Sequence, residues 1–542
     1  MTLCLIVLAN VIAQLVVLRI DLTEDRRHTL SSDTRQLACQ FSETMQVTVW
    51  LRGDVNSGFT TLSTAVKRLL RELDAYGNIQ HEFRDPSALT AVELEALQKQ
   101  LLMHNLHPTA VYESNTQGST TETLVYPFAQ LHYQGREQWV SLLQNRRDLS
   151  GAENINQSIS SLEYRFALAM SSLLRSERGK VAFLEGHGEL PEPNTKDVEM
   201  ALSEHFDVYR GSVTTDADCL DGFSAVIVAD PQLPFSEADK YVIDHYLMQG
   251  GSMLWLLNGV RFSEQVLQDE GYTPALALDL NLTDLLFRYG IRVNNRLLQD
   301  MQCLPVPVDV SRNPEQPQYQ PMPWHYAPLL FTSSLSPVTS NLSPVSAPFC
   351  SDLTAVGDTL AIRHTVLLAT SEMSAAIPVP AEVNLSDLNA DPRLFTLAHL
   401  PVAMSLEGEF SSLYAHRMIP EGITVSDSEK PLSGKAKQIV VGAGSIIRND
   451  LQQGKPLPAG YDRYSRTQFA NRDFIVNAVL WLSDDSHLLR LRQKTVRLRM
   501  LQTQAYDSNK AAVLCAVIML PLLLLALTGI AVTQTRKRRY AA

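Results

Sequence analysis

The chain has 542 residues, 45% of them hydrophobic, with 46 Lys and Arg against 58 Asp and Glu. This length and composition predict two or three folded domains and exclude a chain that is disordered throughout. The net charge of -12 argues against nucleic acid as a partner, because binding a polyanion requires a basic surface.

The chain begins with an uncharged apolar run. The stretch "MTLCLIVLANVIAQLVVL", extended to Ile20, reaches the roughly 20 residues that are needed to span a bilayer. The following "RIDLTEDRRHTL" offers no small-residue cleavage site, as a signal peptide would. The pattern therefore predicts an uncleaved transmembrane helix at residues 1–20.

Residues 28–176 predict a mixed α/β domain of the thioredoxin-like kind. Alternation in "MQVTVWL" predicts a strand, a helix with apolar residues at helical spacing follows, and "IQHEF" predicts a second strand. A hairpin turned at Gln134-Gly135 and a helix at about 153–174 complete the region. Thioredoxin-like redox chemistry needs a reactive cysteine after the first strand, and residues 52–58 contain none. The domain is therefore predicted to be a scaffold.

Residues 178–486 predict a doubly wound α/β domain that is flavodoxin-like or class I amidotransferase-like. Strand patterns in "KVAFLEG", "FSAVIVAD" and "SMLWLLN" alternate with helical patterns, and Ser236 and Asp239 are spaced as a capping box. A proline-rich stretch at about 281–431 predicts a strand-rich insertion. Trp324 in this stretch is interpreted as a core residue, with an exposed aromatic contact for a partner or sugar as the alternative. "KQIVVGAG" and "NRDFIVNAVLWL" then predict the last strand and helix.

The loop after the first strand of this sheet is the candidate site. Glu185, Gly186, His187, Gly188 and Glu189 lie at the carboxyl end of a strand, where open α/β sheets bind ligands. One histidine and two glutamates do not define a metal geometry, so no metal is predicted. We interpret the loop as a structural turn, with contact to a ligand or partner as the functional alternative. On this view, valine at either glycine lowers the folded amount more than His187→Ala.

The sequence lacks the motifs of the enzymes that this fold suggests. Neither "SGKAK" nor "QQGKPL" has the glycine and hydroxyl pattern with which a P-loop binds phosphates. Asn258-Gly259-Val260 follow "SMLWLL" where an amidotransferase needs a cysteine, and no Gly-x-Ser-x-Gly elbow occurs. The sequence therefore predicts no catalytic residue and no cofactor. A membrane-anchored hydrolase or amidotransferase-like enzyme that uses the His187 loop is the alternative.

Cysteines outside the apolar ends are single and widely separated. They are Cys39, Cys219, Cys303 and Cys350, and none forms a Cys-x-x-Cys pair. This spacing favours small core residues over metal ligands, while a Cys303–Cys350 disulfide in an oxidising compartment is the alternative.

The C-terminal part predicts a second membrane span. A basic juxtamembrane helix at residues 487–510 precedes an apolar helix at 511–532, and the tail 533–542 carries "RKRR". Basic residues beside a span favour the cytoplasm, which places both termini inside and the bulk of the chain on the periplasmic side. The basic residues from Arg490 to Arg499 are interpreted either as contacting the lipid bilayer or as a solvated helix face.

Several segments in this order resemble the GldG family, the gliding-associated ABC transporter auxiliary components of Bacteroidetes. They include "KVAFLEGHGEL", "LPFSEADKYVIDHYLMQGGSMLWLL", "LPVAMSLEGEFSSLY" and "GYDRYSRTQFANRDFIVNAVLWLSDD". The resemblance implies a non-catalytic, substrate-binding or coupling subunit in the inner membrane, beside an ABC permease and a separate P-loop ATPase. It also implies a link to gliding motility or secretion, with an unknown ligand. Where that family more often has an acidic turn, this chain has Gly442-Ala443-Gly444-Ser445.

Overall fold

The computed structural model describes most of the chain between residues 29 and 484 and parts of the C-terminal segment. The described ranges are 29–51, 56–103, 106, 108–114, 120–143, 151–174, 178–309, 319–333, 336–340, 342–357, 361–385, 391–425, 432–465, 467–484, 489, 519, 521–523 and 525–536. The chain forms two compact units, Met1–Thr495 and Val496–Ala542. The division of the first unit into residues 28–176 and 178–486 stays a prediction.

The first part of the larger unit is a four-stranded sheet with helices packed against it. Its elements are α1 (Ser32–Ala38), β1 (Met45–Val49), α2 (Ser57–Asp74), β2 (Ile79–Phe83), α3 (Ala91–Met103), β3 (Thr109–Ser114), β4 (Thr120–Val125), β5 (Phe128–Tyr133), β6 (Arg136–Ser141) and α4 (Gly151–Leu174). The sheet order is β2-β1-β5-β6, with β1 parallel to β2 and antiparallel to β5. β3 and β4 form a separate hairpin.

The predicted elements of this part are confirmed by the structure. Apolar residues spaced along one face of α2, from Phe59 to Leu73, are buried against the sheet and α4. The α2 helix begins where the Asn56 side chain accepts a hydrogen bond from the Phe59 amide. Gln134 and Gly135 both have positive φ, which is the turn that joins β5 to β6.

The second part of the unit alternates strands and helices before it becomes strand-rich. It begins with β7 (Lys180–Glu185), α5 (Glu192–Ser203), β8 (Asp207–Ser212), β9 (Ala225–Ala229), α6 (Glu237–Met248), β10 (Ser252–Leu256), β11 (Val260–Arg261), α7 (Glu264–Glu270), β12 (Tyr272–Ala277), α8 (Thr283–Arg288), β13 (Ile291–Val293) and β14 (Arg296–Asp300). It continues with β15 (Cys303–Asp309), β16 (Tyr319–Thr332), β17 (Val345–Ser346), β18 (Leu353–Ala355), β19 (Ile362–Ala369), β20 (Ser374–Pro378), β21 (Ala381–Asn384), β22 (Pro401–Ser411), β23 (Ser433–Val441), β24 (Leu451–Gln452), β25 (Lys455–Pro456), β26 (Tyr461–Asp462), β27 (Thr467–Gln468) and α9 (Asn471–Leu482).

A large mixed sheet forms the centre of this part. Five parallel strands stand in the order β8-β7-β9-β10-β23, so the direction of strand addition reverses between β7 and β9. β22, β19, β16 and β15 continue the sheet beyond β23 as antiparallel neighbours. The region that the sequence predicts to be an insertion, at about 281–431, therefore supplies the strands β15, β16, β19 and β22 of the central sheet.

Helices cover both faces of the parallel strands. Val181 and Phe183 of β7 face a core with α5 and α9, whereas Ala182 and Leu184 face a core with α6. This alternation follows from the strand period of two, and both faces are apolar because both are buried. A mixed α/β architecture is confirmed.

Trp324 lies in the strand-rich region, where it packs against Phe349 with 6% of its surface exposed. The core interpretation of this residue is confirmed. The four cysteines that the structure describes, Cys39, Cys219, Cys303 and Cys350, are free thiols, so the alternative disulfide is not formed.

Most residues of the predicted membrane segments lie outside the part of the chain that the structure describes. Residues 1–20 lie outside the described residues, as does 487–510 apart from Leu489. In the smaller unit, residues 525–536 are helical. Among the described residues, no helix combines the length and the apolar character that crossing a membrane requires.

Candidate functional site

Two glycines shape the loop after β7. Gly186 has a φ of +119° and Gly188 a φ of +73°, and both are solvent-exposed. These values lie in the region that side chains disfavour, so glycine allows the chain to reverse directly after the strand. A Cβ at Gly188 would also stand 3.2 Å from Cβ of Gln232. Both positions therefore have the positive φ for which the sequence predicted glycine.

His187 lies between these glycines, and its ring is buried with 6% exposure. Nδ1 is 3.0 Å from Oε1 of Glu189, and Nε2 is 3.2 Å from Oδ2 of Asp239 in the first turn of α6. The His187 amide donates to Oε2 of Glu189 at 2.7 Å, and the ring stacks on Phe235 with centroids 3.6 Å apart. The side chain thus joins the β7 loop to the start of α6.

The charge around His187 favours the imidazolium. Burial lowers the pKa of His187, but hydrogen bonds to the carboxylates of Glu189 and Asp239 outweigh this effect, and the pKa is raised above its ordinary value of 6.5. Both ring nitrogens already contact carboxylate oxygens. Neither nitrogen is left to take a proton from a nucleophile or to bind a metal.

The crevice between the ends of β7 and β9 is closed by the backbone. The amides of Gln232 and Leu233 each donate to the His187 carbonyl at 2.8 Å, and the Leu190 amide donates to the Ala229 carbonyl at 2.9 Å. Doubly wound sheets usually bind ligands at this reversal of strand order. Here the two loops bind each other at that position.

The remaining members of the predicted site differ in exposure. The side chain of Glu185 is 46% exposed and accepts from Nε of Arg210 at 2.7 Å. The same guanidinium contacts Glu199 and Thr195 of α5, so it links β8, the end of β7 and α5. The side chain of Glu189 is 2% exposed, and its carboxylate contacts the His187 ring. The loop therefore presents Glu185 and the two glycine backbones to solvent.

A second polar cluster lies at the ends of β9, β10 and β23, and sequence reasoning did not identify it. Oδ1 of Asp230 accepts from Nδ2 of Asn258 at 2.7 Å and from Nε2 of Gln232 at 3.0 Å. Oδ1 of Asn258 accepts from the Gly444 amide at 2.8 Å. The signal available in the sequence is that Asp230, Asn258 and Gly444 each follow a strand closely.

Burial raises the pKa of Asp230 to about 7, against the opposing charge of Arg448 and the donors from Gln232 and Asn258. A Cβ at Gly444 would stand 2.2 Å from Oδ1 of Asp230, so glycine is required there. The glycine at position 444 thus makes room for the carboxyl group of Asp230, which follows β9, two strands away from β23 in the sheet.

The surface near these loops has a shallow depression of about 620 Å³ beside α8, lined by Asp279, Asn281, Thr283, Asp284, Phe287, Arg288, Leu413 and Arg417. A smaller cavity of about 40 Å³ lies beside Asn258 and Gly259. Across the described part of the chain, no three His, Cys, Asp or Glu side chains come together as a metal site would require.

Residues 178–478 match the family described as "ABC-type uncharacterized transport system", and residues 24–132 match a family described as a domain of unknown function. No curated protein matches the chain. A solved chain entitled "mmIFT52 N-terminal domain" is similar at 16% identity and a TM-score of 0.32, over 56% of this chain and 97% of that one.

Proposed function

The chain belongs to the ABC-type uncharacterized transport system family, and from this we propose that it is a membrane-anchored auxiliary subunit of an ABC-type transporter complex. The family match over residues 178–478, more than half of the chain, is the observation that carries the proposal. In this complex an ABC permease forms the membrane path and a separate P-loop ATPase hydrolyses ATP. The present subunit binds a substrate or couples the complex to other envelope components.

The proposed subunit is not catalytic. The sequence has no phosphate-binding P-loop, so ATP is hydrolysed by a partner. His187 is held by two carboxylates and stacked on Phe235, which supports a structural role over that of a general base.

We propose that two spans, residues 1–20 and 511–532, hold the chain in the inner membrane. The basic tail then lies in the cytoplasm and the bulk of the chain in the periplasm. In this arrangement the first part of the chain is a thioredoxin-like scaffold and the second a flavodoxin-like sheet. The order of segments that resembles the GldG family supports a link to gliding motility or secretion.

The β7 loop is proposed as a contact surface for a partner subunit or a ligand. Its exposed part consists of Glu185 and the backbones of Gly186 and Gly188, at the carboxyl edge of the parallel strands. Glu185 is held in place by Arg210, so the carboxylate is presented in a fixed position.

Affinity purification from membranes in mild detergent tests this proposal. The tagged full chain should recover a multi-span permease and a P-loop ATPase. Glu185→Ala should reduce this recovery if the loop makes the contact. Glu407→Ala is the matched control, because Glu407 is also half-exposed and paired with an arginine, Arg363. Recovery of neither transporter component with the wild-type chain would contradict the proposed role.

A further inference from the structure

The contact between His187, Glu189 and Asp239 joins two elements through one titratable ring. Glu189 belongs to the loop after β7, whereas Asp239 belongs to the first turn of α6. We propose that this contact is a pH-sensitive latch, which fastens the loop to α6 while the imidazole is protonated and releases it when the proton is lost. The latch concerns the proposed contact loop, but it does not depend on any partner.

The latch depends on how many hydrogen-bond donors the His187 imidazole carries. A neutral imidazole has one N–H donor and one acceptor nitrogen, whereas an imidazolium has two donors. Both ring nitrogens of His187 face carboxylate oxygens, at 3.0 and 3.2 Å, and ionised carboxylates only accept. Loss of the proton therefore places a nitrogen lone pair against a carboxylate. One of the two contacts must then break.

The two carboxylates differ in what else holds them. Oδ2 of Asp239 also accepts from the Ser236 hydroxyl at 2.6 Å and from the Ser236 amide at 3.2 Å, as the capping box of α6. Glu189 also accepts from the amide of His187 itself, within the loop. Breaking the contact to Asp239 therefore leaves the helix capped and the loop internally bonded. This contact is the one that opens.

Among the described residues of the segments that bond this loop, Asp230 also has a pKa near neutrality. Phe235, which covers the ring face, carries no charge. Glu185 is paired with Arg210. In the loop after β9, whose amides bond the His187 carbonyl, burial raises the pKa of Asp230 to about 7. A test of the latch must therefore separate His187 from Asp230.

The direction of the switch follows from linkage. The pKa of His187 in the closed loop is raised above 6.5, whereas in the open loop it returns towards that value. The stabilisation by the latch is complete below pH 6.5 and is lost as the pH rises through the raised pKa. Between pH 6.5 and the raised pKa of His187, the fraction of molecules with an open loop grows about tenfold for each pH unit.

Hydrogen–deuterium exchange of the full chain in detergent, with the intrinsic rate at each pH divided out, measures this opening. The reporter amides are those of Leu190, Gln232 and Leu233, whose hydrogen bonds join the loop to β9 and to the segment that follows it. Wild type should lose several-fold protection at these amides as the pH rises above 6.5, while the buried strand β10 stays unchanged. His187→Gln should remove the pH dependence, because the amide side chain does not titrate.

Three further variants complete the experiment. His325→Gln should behave like wild type, since that buried ring bonds the Asp300 carbonyl and not a carboxylate. Asp230→Asn should retain the pH dependence if His187 is its source. Glu189→Gln removes one carboxylate, and the opening should then occur at lower pH. Protection that does not change with pH in wild type, or the same change in His187→Gln, would overturn the latch.

Discussion

Removing the His187 ring should lower the free energy of unfolding more than adding a side chain at Gly188 does. His187→Ala leaves the carboxylate of Glu189, 2% exposed, without its ionic partner. Breaking a buried pair in this way costs about 3–5 kcal/mol, of which the remaining bond to the His187 amide offsets a part. We therefore expect a loss of about 3 kcal/mol in the free energy of unfolding.

Gly188→Val introduces a different strain. A β-branched residue at a φ of +73° costs about 1–3 kcal/mol, and its Cβ contacts Gln232 at 3.2 Å, where the exposed loop has room to adjust. The structure thus predicts an order opposite to the one expected from the sequence, because the sequence did not show that the ring is buried.

Denaturant unfolding at about pH 6, below the ordinary histidine pKa, compares the two variants by tryptophan fluorescence, to which the fully buried Trp255 contributes. His132→Ala is the control, since the exposed side chain of His132 pairs with the exposed Glu137, and the variant should stay within about 0.5 kcal/mol of wild type. A His187→Ala variant as stable as this control, or more stable than Gly188→Val, would refute the reasoning.

Four further predictions concern the polar clusters and the membrane arrangement. Because burial raises the pKa of Asp230 from 3.8 to about 7, stability should fall as the pH rises between these values, and Asp230→Asn should abolish that slope in unfolding titrations. Gly444→Ala should destabilise by about 1–3 kcal/mol through contact with Asp230, whereas Gly211→Ala, which meets open space, should leave the melting temperature unchanged. Asp244→Ala should cost about 3 kcal/mol in denaturant unfolding, because Tyr289, Ser412 and the Leu413 amide lose a shared buried acceptor. An alkaline phosphatase fused at the C-terminus should be inactive and one inserted near Ser426 active; the reverse pattern would contradict the proposed topology.

Local patterns predicted the elements around the candidate site correctly. The apolar run in β7, the capping box of Ser236 and Asp239 and the glycines at positive φ are all encoded within a few residues. Such features depend on steric limits and hydrogen bonds between near neighbours, which the sequence displays directly.

Contacts between distant segments were not predictable in the same way. Asp230, Asn258 and Gly444 meet only because β9, β10 and β23 are adjacent in the sheet, although a long strand-rich region separates the last two. The pairing of β22 with β23 likewise depends on non-local hydrogen bonds that leave no periodic signal in either strand.

The α6 helix shows the same limit. Every residue from Lys240 to Met248 is buried, because the sheet covers one face and residues after β22 cover the other. Asp244 lies in this buried helix because Ser412 and Tyr289 satisfy its oxygens. A sequence pattern indicates that a helix is apolar but not which distant segment supplies its second contact.

We propose that this chain is a non-catalytic subunit of an ABC-type transporter complex. Native mass spectrometry of the assembly purified through the tagged chain tests it most directly. We expect a complex whose mass comprises this 60.3 kDa chain together with a multi-span permease and a P-loop ATPase. A purified species that contains only this chain, alone or with copies of itself, would contradict the proposed role.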